Sequence, residues 1–284
     1  MSDFIEIFEV GPRDGLQNES KIIDTESKIT LVNLLSECGL PKIEVSSFVS
    51  SKWVPQLADA ASVFKKIIRK QNVKYAALTP NLEGFKNATL VNVDEVAIFA
   101  AASETFSKKN INCSIEESIT RFHPLMKEAK RLGISVRGYI SCITDCPYEG
   151  EINPSMVLHI AKQFKEMGCY QISLGDTIGN STPTSLSKLY RMLFSELPET
   201  FFAGHFHDTK GRALDNVELS LENGIKTFDS SIAGLGGCPY APGASGNVST
   251  EKIIKFIETM GYHTKARLDK IKKASDFAKS LVYQ

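Results

Sequence analysis

The sequence has no excess of charge of either sign, because 33 Lys and Arg residues balance 33 Asp and Glu residues. Binding of nucleic acid or anionic lipid through net charge is therefore excluded, although a local basic patch could still hold a phosphate. Hydrophobic residues form 42% of the chain and charged residues 23%. Intrinsic disorder is excluded as well, since disordered chains are poor in apolar residues and highly charged.

Long apolar runs are also missing, and no window approaches the roughly 18 uninterrupted apolar residues of a transmembrane helix. The first ten residues, MSDFIEIFEV, have no basic head, apolar signal core or Arg-rich leader. The six cysteines include no Cys-x-x-Cys pair, a pattern typical of reduced thiols in a cytosol. These absences predict a cytoplasmic protein that binds neither membrane nor nucleic acid.

The chain alternates short β-rich runs with longer segments of helical apolar spacing. The predicted strands are Ile5–Val10, Lys42–Val45, Val73–Leu78, Val93–Ala100, Ser135–Cys142, Gln171–Leu174, Phe202–His207 and Thr227–Ile232. About 250 residues of such units without a linker predict one (β/α)₈ TIM barrel. We expect a single domain over residues 1–284, with an extra C-terminal helix at Leu268–Val282. A doubly wound open sheet with fewer strands remains the alternative fold.

A barrel of this kind carries its catalytic groups where the strands end. His205 and His207 lie near the end of the seventh predicted strand. Alternate residues of a strand face the same side, so the two imidazoles would project together about 6–7 Å apart, a spacing that suits a metal ion. The alternative is a pair of barrel-lining histidines that are hydrogen-bonded to carboxylates, and the motif alone favours neither.

The segment Gly11–Gln17, with the sequence GPRDGLQ, follows the first predicted strand. Asp14 could complete a metal site with the two histidines, because a carboxylate and two imidazoles leave open positions for substrate oxygens. Arg13 would then be a fixed cation suited to a developing oxyanion. Taken alone, the Arg-Asp dipeptide is better explained as a surface ion pair in a turn.

A glycine-rich stretch, Gly234–Asn247, follows the eighth predicted strand. Its glycines permit hinge motion, and it lacks the Gly-Lys-Ser/Thr of a phosphate-binding P-loop. Cys238 lies at its centre, where a thiol on a mobile lid would suit proton donation or nucleophilic attack. Asn247 could offer its amide oxygen to a metal, or it could cap the next helix.

Two further carboxylates occupy matching positions, Glu44 in the second strand and Asp176 after the sixth. Each alone is more readily explained as a buried structural acid. Their predicted position at the same end of one barrel favours a joint functional role. The residues that would meet there are Arg13, Asp14, Glu44, Asp176, His205, His207 and Cys238.

Several stretches resemble the 3-hydroxy-3-methylglutaryl-CoA lyase family, and together they extend over nearly the full length. They are Val10–Glu19, Ile43–Val49, Lys52–Asp59, Ile172–Ile178, His205–Asp208 and Ser231–Asn247. The chain departs from the family at Ser20, where many members carry a lysine, and at Ser46, where threonine is common.

The resemblance implies a metal-dependent carbon-carbon lyase that cleaves 3-hydroxy-3-methylglutaryl-CoA into acetoacetate and acetyl-CoA, as in leucine degradation or ketone-body formation. It implies that a divalent cation, Mg²⁺ or Mn²⁺, is held by Asp14, His205, His207 and Asn247. It also implies that Arg13 stabilises the enolate while Cys238 closes over the site. Functional acids or bases would be Glu44, Asp176 and His205, and Arg13 and Gln17 would contact the acyl-CoA substrate.

Two alternative functions remain open at this point. One is a related lyase for a longer branched 3-hydroxyglutaryl-CoA, which pocket size would decide. The other is a catalytically silent barrel that binds metal or acyl-CoA. Whichever function holds, we expect a homo-oligomer.

Overall fold

The computed structural model describes residues 4–237 and 246–282. Its strands are β1 Glu6–Glu9, β2 Lys42–Ser47, β3 Lys74–Leu78, β4 Glu95–Ala101, β5 Ser135–Ser141, β6 Asp145–Cys146, β7 Gly150–Glu151, β8 Gln171–Asp176, β9 Phe202–Phe206 and β10 Thr227–Ser230. All except β6 and β7 are parallel and close into one barrel, in which β1 pairs with both β2 and β10. The predicted TIM barrel is confirmed.

Helices surround the barrel. They are α1 Thr25–Ser36, α2 Ala60–Lys66, α3 Leu82–Thr89, α4 Glu104–Ile111, α5 Ile115–Leu132, α6 Pro154–Met167, α7 Pro183–Phe194, α8 Ala213–Glu222, α9 Thr250–Thr259 and α10 Leu268–Val282. The extra helix α10 begins and ends as predicted and packs against α1 and α9. Within the described ranges, no helix has the length and apolar character needed to cross a membrane.

Helix starts follow the capping chemistry of the sequence. The Asn153 side chain accepts a hydrogen bond from the Ser155 N–H before α6, and the Thr182 side chain accepts one from the Ser185 N–H before α7. In both cases a proline occupies the first helical position, where its missing N–H costs nothing. These caps set the points at which the chain leaves the carboxyl ends of the strands and turns back along the outside of the barrel.

The barrel interior carries charged side chains at both ends. We name the first group the amino-end cluster, since its strand residues lie where β1, β2 and β4 begin; it comprises Glu6, Lys42, Glu95 and Tyr170. The second group, the carboxyl-end cluster, lies where strands end, and comprises Arg13, Asp14, Glu44, His205 and His207. The candidate site belongs to the second cluster, at the end that the barrel fold assigns to catalysis.

Candidate active site

The turn after β1 sets the position of two site residues. Gly11–Gly15 forms one π-helical turn, in which the Val10 carbonyl accepts N–H bonds from Arg13, Asp14 and Gly15. π-Helical turns are rare and occur frequently at functional sites. The turn directs Arg13 and Asp14 towards the barrel axis instead of outward into solvent.

Arg13 is buried between two carboxylates. Its Nε donates to Glu44 Oε2 at 2.5 Å, and its Nη1 donates to Asp14 Oδ1 at 2.5 Å. Burial acts to lower the pKa of Arg13, but the charges of Glu44 and Asp14 outweigh it and raise that pKa, so the guanidinium stays charged. The alternative of a surface ion pair is therefore wrong for this dipeptide, because Arg13 is buried, the Asp14 side chain is only 20% exposed, and Glu44 is a third member of the group.

Asp14, His205 and His207 come together at the barrel mouth. One ligand atom from each lies within 4.8 Å of the others. The Nε2 atoms of His205 and His207 lie 3.9 and 4.0 Å from Asp14 Oδ2. The structure thus unites an aspartate from the first turn with two histidines almost 200 residues later in the chain.

The protonation states of this group suit a divalent cation. Burial opposes ionisation of Asp14, but the charges of Arg13, His205 and His207 lower its pKa, so it is a carboxylate. Burial and the charge of His205 lower the pKa of His207 to about 4. The His207 ring is therefore neutral at pH 7, and one of its nitrogens keeps a lone pair that can bind a metal. A carboxylate and imidazole nitrogens are accepted ligands of first-row divalent metals. The residues present therefore fit the metal that the sequence predicts.

Asn247 lies beside these three residues and is buried. Its Nδ2 donates to Asp14 Oδ2 at 2.7 Å and to the Leu235 carbonyl at 3.2 Å. Gly236 makes room for this contact: its φ is +99°, and a Cβ there would lie 2.6 Å from Asn247 Nδ2. The amide nitrogen faces Asp14, so ligation through the amide oxygen stays a prediction.

A cavity of about 890 Å³ opens above the carboxyl-end cluster. The residues that line it include Arg13 and Gln17 and the exposed side chains of Trp53, Lys109 and Arg121. Trp53 is 83% exposed. The volume lies within the roughly 300–1,000 Å³ typical of small-molecule sites. The cavity can thus hold an organic substrate directly over the three candidate metal ligands.

Asp176 is not brought to the cluster. Its carboxylate accepts N–H bonds from Asn180 at 3.0 Å and Ser181 at 3.1 Å, and so fixes the loop after β8. Burial raises its pKa to about 6. Its neighbours Gly175 and Thr177 line the cavity, whereas Asp176 does not. A role in proton transfer stays a prediction for Asp176, and the one for Cys238 lies outside the described residues.

Sequence reasoning missed two buried charges, Arg137 in β5 and Asp229 in β10. Asp229 Oδ2 lies 3.1 Å from His205 Nδ1, and Asp229 Oδ1 lies 2.8 Å from Arg137 Nη2. The alternative of carboxylate-bonded barrel histidines is thus half correct, since His205 has such a partner on the side away from Asp14. The available signal was a single charged residue inside an otherwise apolar or neutral strand.

Comparisons with known proteins agree with this geometry. The family model described as HMGL-like matches residues 4–278. The chain is 53% identical over 274 residues to the cytoplasmic 3-hydroxy-3-methylglutaryl-CoA lyase of Danio rerio, covering 96% of this chain and 82% of that relative. It is 53% identical over 273 residues to the mitochondrial hydroxymethylglutaryl-CoA lyase of Bos taurus, covering 96% and 84% of the two chains.

The solved structure of the HMG-CoA lyase from Brucella melitensis matches with a TM-score of 0.98 and 46% identity, covering 99% of each chain. On the strength of a family model and close relatives that span nearly the whole chain, this protein belongs to the HMGL-like family.

Proposed function

We propose that the chain is a metal-dependent carbon-carbon lyase that cleaves 3-hydroxy-3-methylglutaryl-CoA into acetoacetate and acetyl-CoA. The observation that carries this proposal is the convergence of Asp14, His205 and His207 beside the buried cation Arg13, in the lining of one cavity. The names of the two 53% identical relatives supply the substrate. They do not favour the longer-chain or the silent alternative.

Asp14, His205, His207 and Asn247 would hold the divalent cation, Mg²⁺ or Mn²⁺. When bound there, the cation supplies a Lewis acid that lowers the pKa of the tertiary hydroxyl of the substrate. The negative charge of Asp14 fits this role, because Asn247 and Arg13 fix the carboxylate from two other directions.

Arg13 stabilises the acetyl-CoA enolate that forms when the carbon-carbon bond breaks. Glu44 and Asp14 hold the guanidinium in place before the substrate arrives, and such preorganised charge is the most effective kind of transition-state stabilisation. Glu44 is a positioning residue in this account, because its Oε2 is engaged by Arg13 Nε.

Proton transfers complete the reaction. A base removes the hydroxyl proton, and neither predicted candidate is free for this step: His205 would give its lone pair to the cation, and Asp176 bonds to backbone N–H groups. Cys238 delivers a proton to the enolate carbon, the role that the family resemblance gives it.

A coupled assay of acetyl-CoA release from the pure protein, with and without Mg²⁺, tests the proposal. We expect turnover of 3-hydroxy-3-methylglutaryl-CoA that depends on the cation, with lower specificity constants for longer branched analogues. Binding of the CoA ester without release of acetyl-CoA would contradict the lyase activity. A higher specificity constant for a longer analogue would correct the substrate.

We propose a cytoplasmic location, with acyl-CoA as the small-molecule partner and a homo-oligomer as the assembly. The five described cysteines are buried and unpaired, which accords with a reducing compartment. One of the two relatives above is named cytoplasmic and the other mitochondrial. Cell fractionation tests the compartment, and light scattering of the purified protein tests the assembly.

A further inference from the structure

Asp229 is a fully buried carboxylate that the proposed reaction does not use. It lies in β10 directly opposite His205 of β9 in the strand register. Its Oδ2 is 3.1 Å from His205 Nδ1 and accepts a hydrogen bond from Ser173 Oγ at 2.6 Å. The Asp229 carboxylate is therefore aimed at the ring nitrogen of His205 that faces away from Asp14.

Arg137 holds Asp229 from the opposite side. Its Nη2 lies 2.8 Å from Asp229 Oδ1, and its Nε donates to Gln171 Oε1 at 3.0 Å. The guanidinium also lies over the rings of Phe8 and Tyr139, with Cζ 4.5 and 5.2 Å from their centroids. A guanidinium does not lose its proton in proteins, so it keeps Asp229 ionised, and an ionised carboxylate only accepts hydrogen bonds.

An acceptor-only partner at Nδ1 decides which ring nitrogen of a neutral His205 carries the hydrogen. The hydrogen lies on Nδ1, and the lone pair lies on Nε2, which is 3.9 Å from Asp14 Oδ2. We propose that Asp229, held by Arg137, is a positioning residue that fixes the tautomer and ring orientation of His205 for divalent-metal binding. Carboxylate-histidine-metal arrangements of this kind raise the affinity for the metal.

The second histidine of the pair is held differently. His207 Nδ1 is buried and has no hydrogen-bond partner within residues 4–237 and 246–282. The barrel thus fixes one of the two candidate imidazole ligands through a buried ion pair and leaves the other without such a partner among those residues. This asymmetry makes Asp229 specific to His205 and gives the proposal a defined target.

The first test is a Mn²⁺ titration of the wild-type and Asp229→Asn proteins, in which electron paramagnetic resonance measures the concentration of free Mn²⁺. We expect Mn²⁺ affinity to fall by about 10–100-fold, the usual effect of removing such a partner. The matched control is Glu95→Gln. It makes the same change from acid to amide in the amino-end cluster and should leave Mn²⁺ affinity unchanged. Unchanged affinity in a folded Asp229→Asn protein would overturn the proposal, even if its melting temperature fell.

A second test needs no Asp229 variant to fold. Nitrogen-15 NMR of the wild-type protein with Mg²⁺ reports which histidine nitrogen carries hydrogen, and the His205 signals are assigned by their loss in His205→Gln. We expect the Nδ1–H tautomer at His205. Hydrogen on Nε2 in the Mg²⁺-loaded protein would overturn the assignment.

The inference rests on the metal site of the proposed function but fails separately from it. Wild-type protein that cleaves the CoA ester while Asp229→Asn keeps full Mn²⁺ affinity would overturn only the role of Asp229. Loss of Mn²⁺ affinity in Asp229→Asn, together with no cleavage by the wild type, would support the role of Asp229 and overturn only the proposed lyase activity.

Discussion

The two ends of the barrel both bury charge, but they satisfy it differently. In the amino-end cluster, Lys42 Nζ lies 3.5 Å from both Glu6 and Glu95, and it donates to the Tyr170 hydroxyl at 2.9 Å. That hydroxyl donates in turn to Glu95 at 2.7 Å. Each charged side chain of this cluster thus lies within 3.5 Å of one of opposite charge.

In the carboxyl-end cluster, some polar atoms are not used in contacts within the described part of the protein. Arg13 joins Glu44 and Asp14, yet Asp14 and the two histidines still direct ligand atoms to a common point below the cavity. Burial of charge is therefore no mark of an active site by itself, since both ends have it. The feature that distinguishes the active site is a set of ligand atoms with free lone pairs that face an accessible cavity, because such atoms can bind a metal ion.

Removal of the metal should give the largest difference between the two ends. We expect extensive EDTA treatment to abolish turnover and Mg²⁺ or Mn²⁺ to restore it, since the added cation supplies the Lewis acid that the carboxyl-end cluster lacks. The coupled acetyl-CoA assay measures both steps. Full activity in metal-depleted protein would remove the functional distinction between the clusters.

Arg13→Gln should have the next largest effect. Loss of one preorganised oxyanion partner costs roughly 10²–10³ in rate, or about 3–4 kcal/mol in the activation barrier. Steady-state kinetics should show the fall in kcat. The melting temperature should fall as well, because Glu44 loses its buried cation, and circular dichroism checks that the protein is still folded at the assay temperature. Near-normal turnover of Arg13→Gln would exclude Arg13 from the chemistry.

Lys42→Met is the matched change at the other end. It leaves Glu95 without its cation, and breaking a buried pair costs about 3–5 kcal/mol of unfolding free energy. We expect a lower melting temperature with kcat unchanged in the folded protein. A fall in kcat comparable to that of Arg13→Gln would show that the amino-end cluster also takes part in catalysis.

A buried acid outside both clusters, Glu9 at the end of β1, should give the smallest effect, a pH dependence of stability. Glu9 accepts N–H bonds from Gly11 and Ile232 and a hydroxyl bond from Thr250. Burial raises its pKa from 4.5 to about 7. The folded protein therefore binds this proton more tightly than the unfolded chain, and the resulting stability is present below pH 4.5 and lost as the pH rises to about 7.

Chemical unfolding of wild type and Glu9→Gln at two pH values measures this loss. Between about pH 5 and pH 8, the wild type should lose about 2–3 kcal/mol relative to Glu9→Gln, given 1.36 kcal/mol for each unit of pKa. A difference that does not change with pH would mean that Glu9 ionises normally in the folded protein.

The strands and several helix starts could be predicted because their signals are local. Apolar spacing and the Asn-Pro and Thr-Pro caps act within a few residues, so the barrel follows from counting its units. The hairpin of β6 and β7 was missed, because strands of two residues have no periodicity to detect. Strand ends moved by up to two residues, as at β10, where the chain enters a turn at Ser231 instead of continuing.

The residues of the site also fall into those that a local signal predicts and those that it does not. Arg13, Asp14 and the histidine pair stand out because polar residues at strand ends are expected to face the mouth. Asp229 could not be linked to His205, since their contact depends on the register between β9 and β10 and the sequence does not encode that register locally.

Asp176 does not face the barrel mouth as predicted, and strand geometry explains why. Residues two apart in a strand share a face, and Ser173 of β8 points into the barrel, where it donates to Asp229. Gly175 shares that inward face, so Asp176 points away from the barrel axis and bonds to its own loop. A shift of one residue thus separates a cavity-facing position from a structural one.

Anomalous diffraction from crystals of this protein grown with Mn²⁺ tests the central claim most directly. The account predicts one anomalous peak bonded to Asp14, His205 Nε2 and His207 Nε2 beneath the cavity. A peak elsewhere with this position empty, or histidine rings turned away from Asp14, would contradict it.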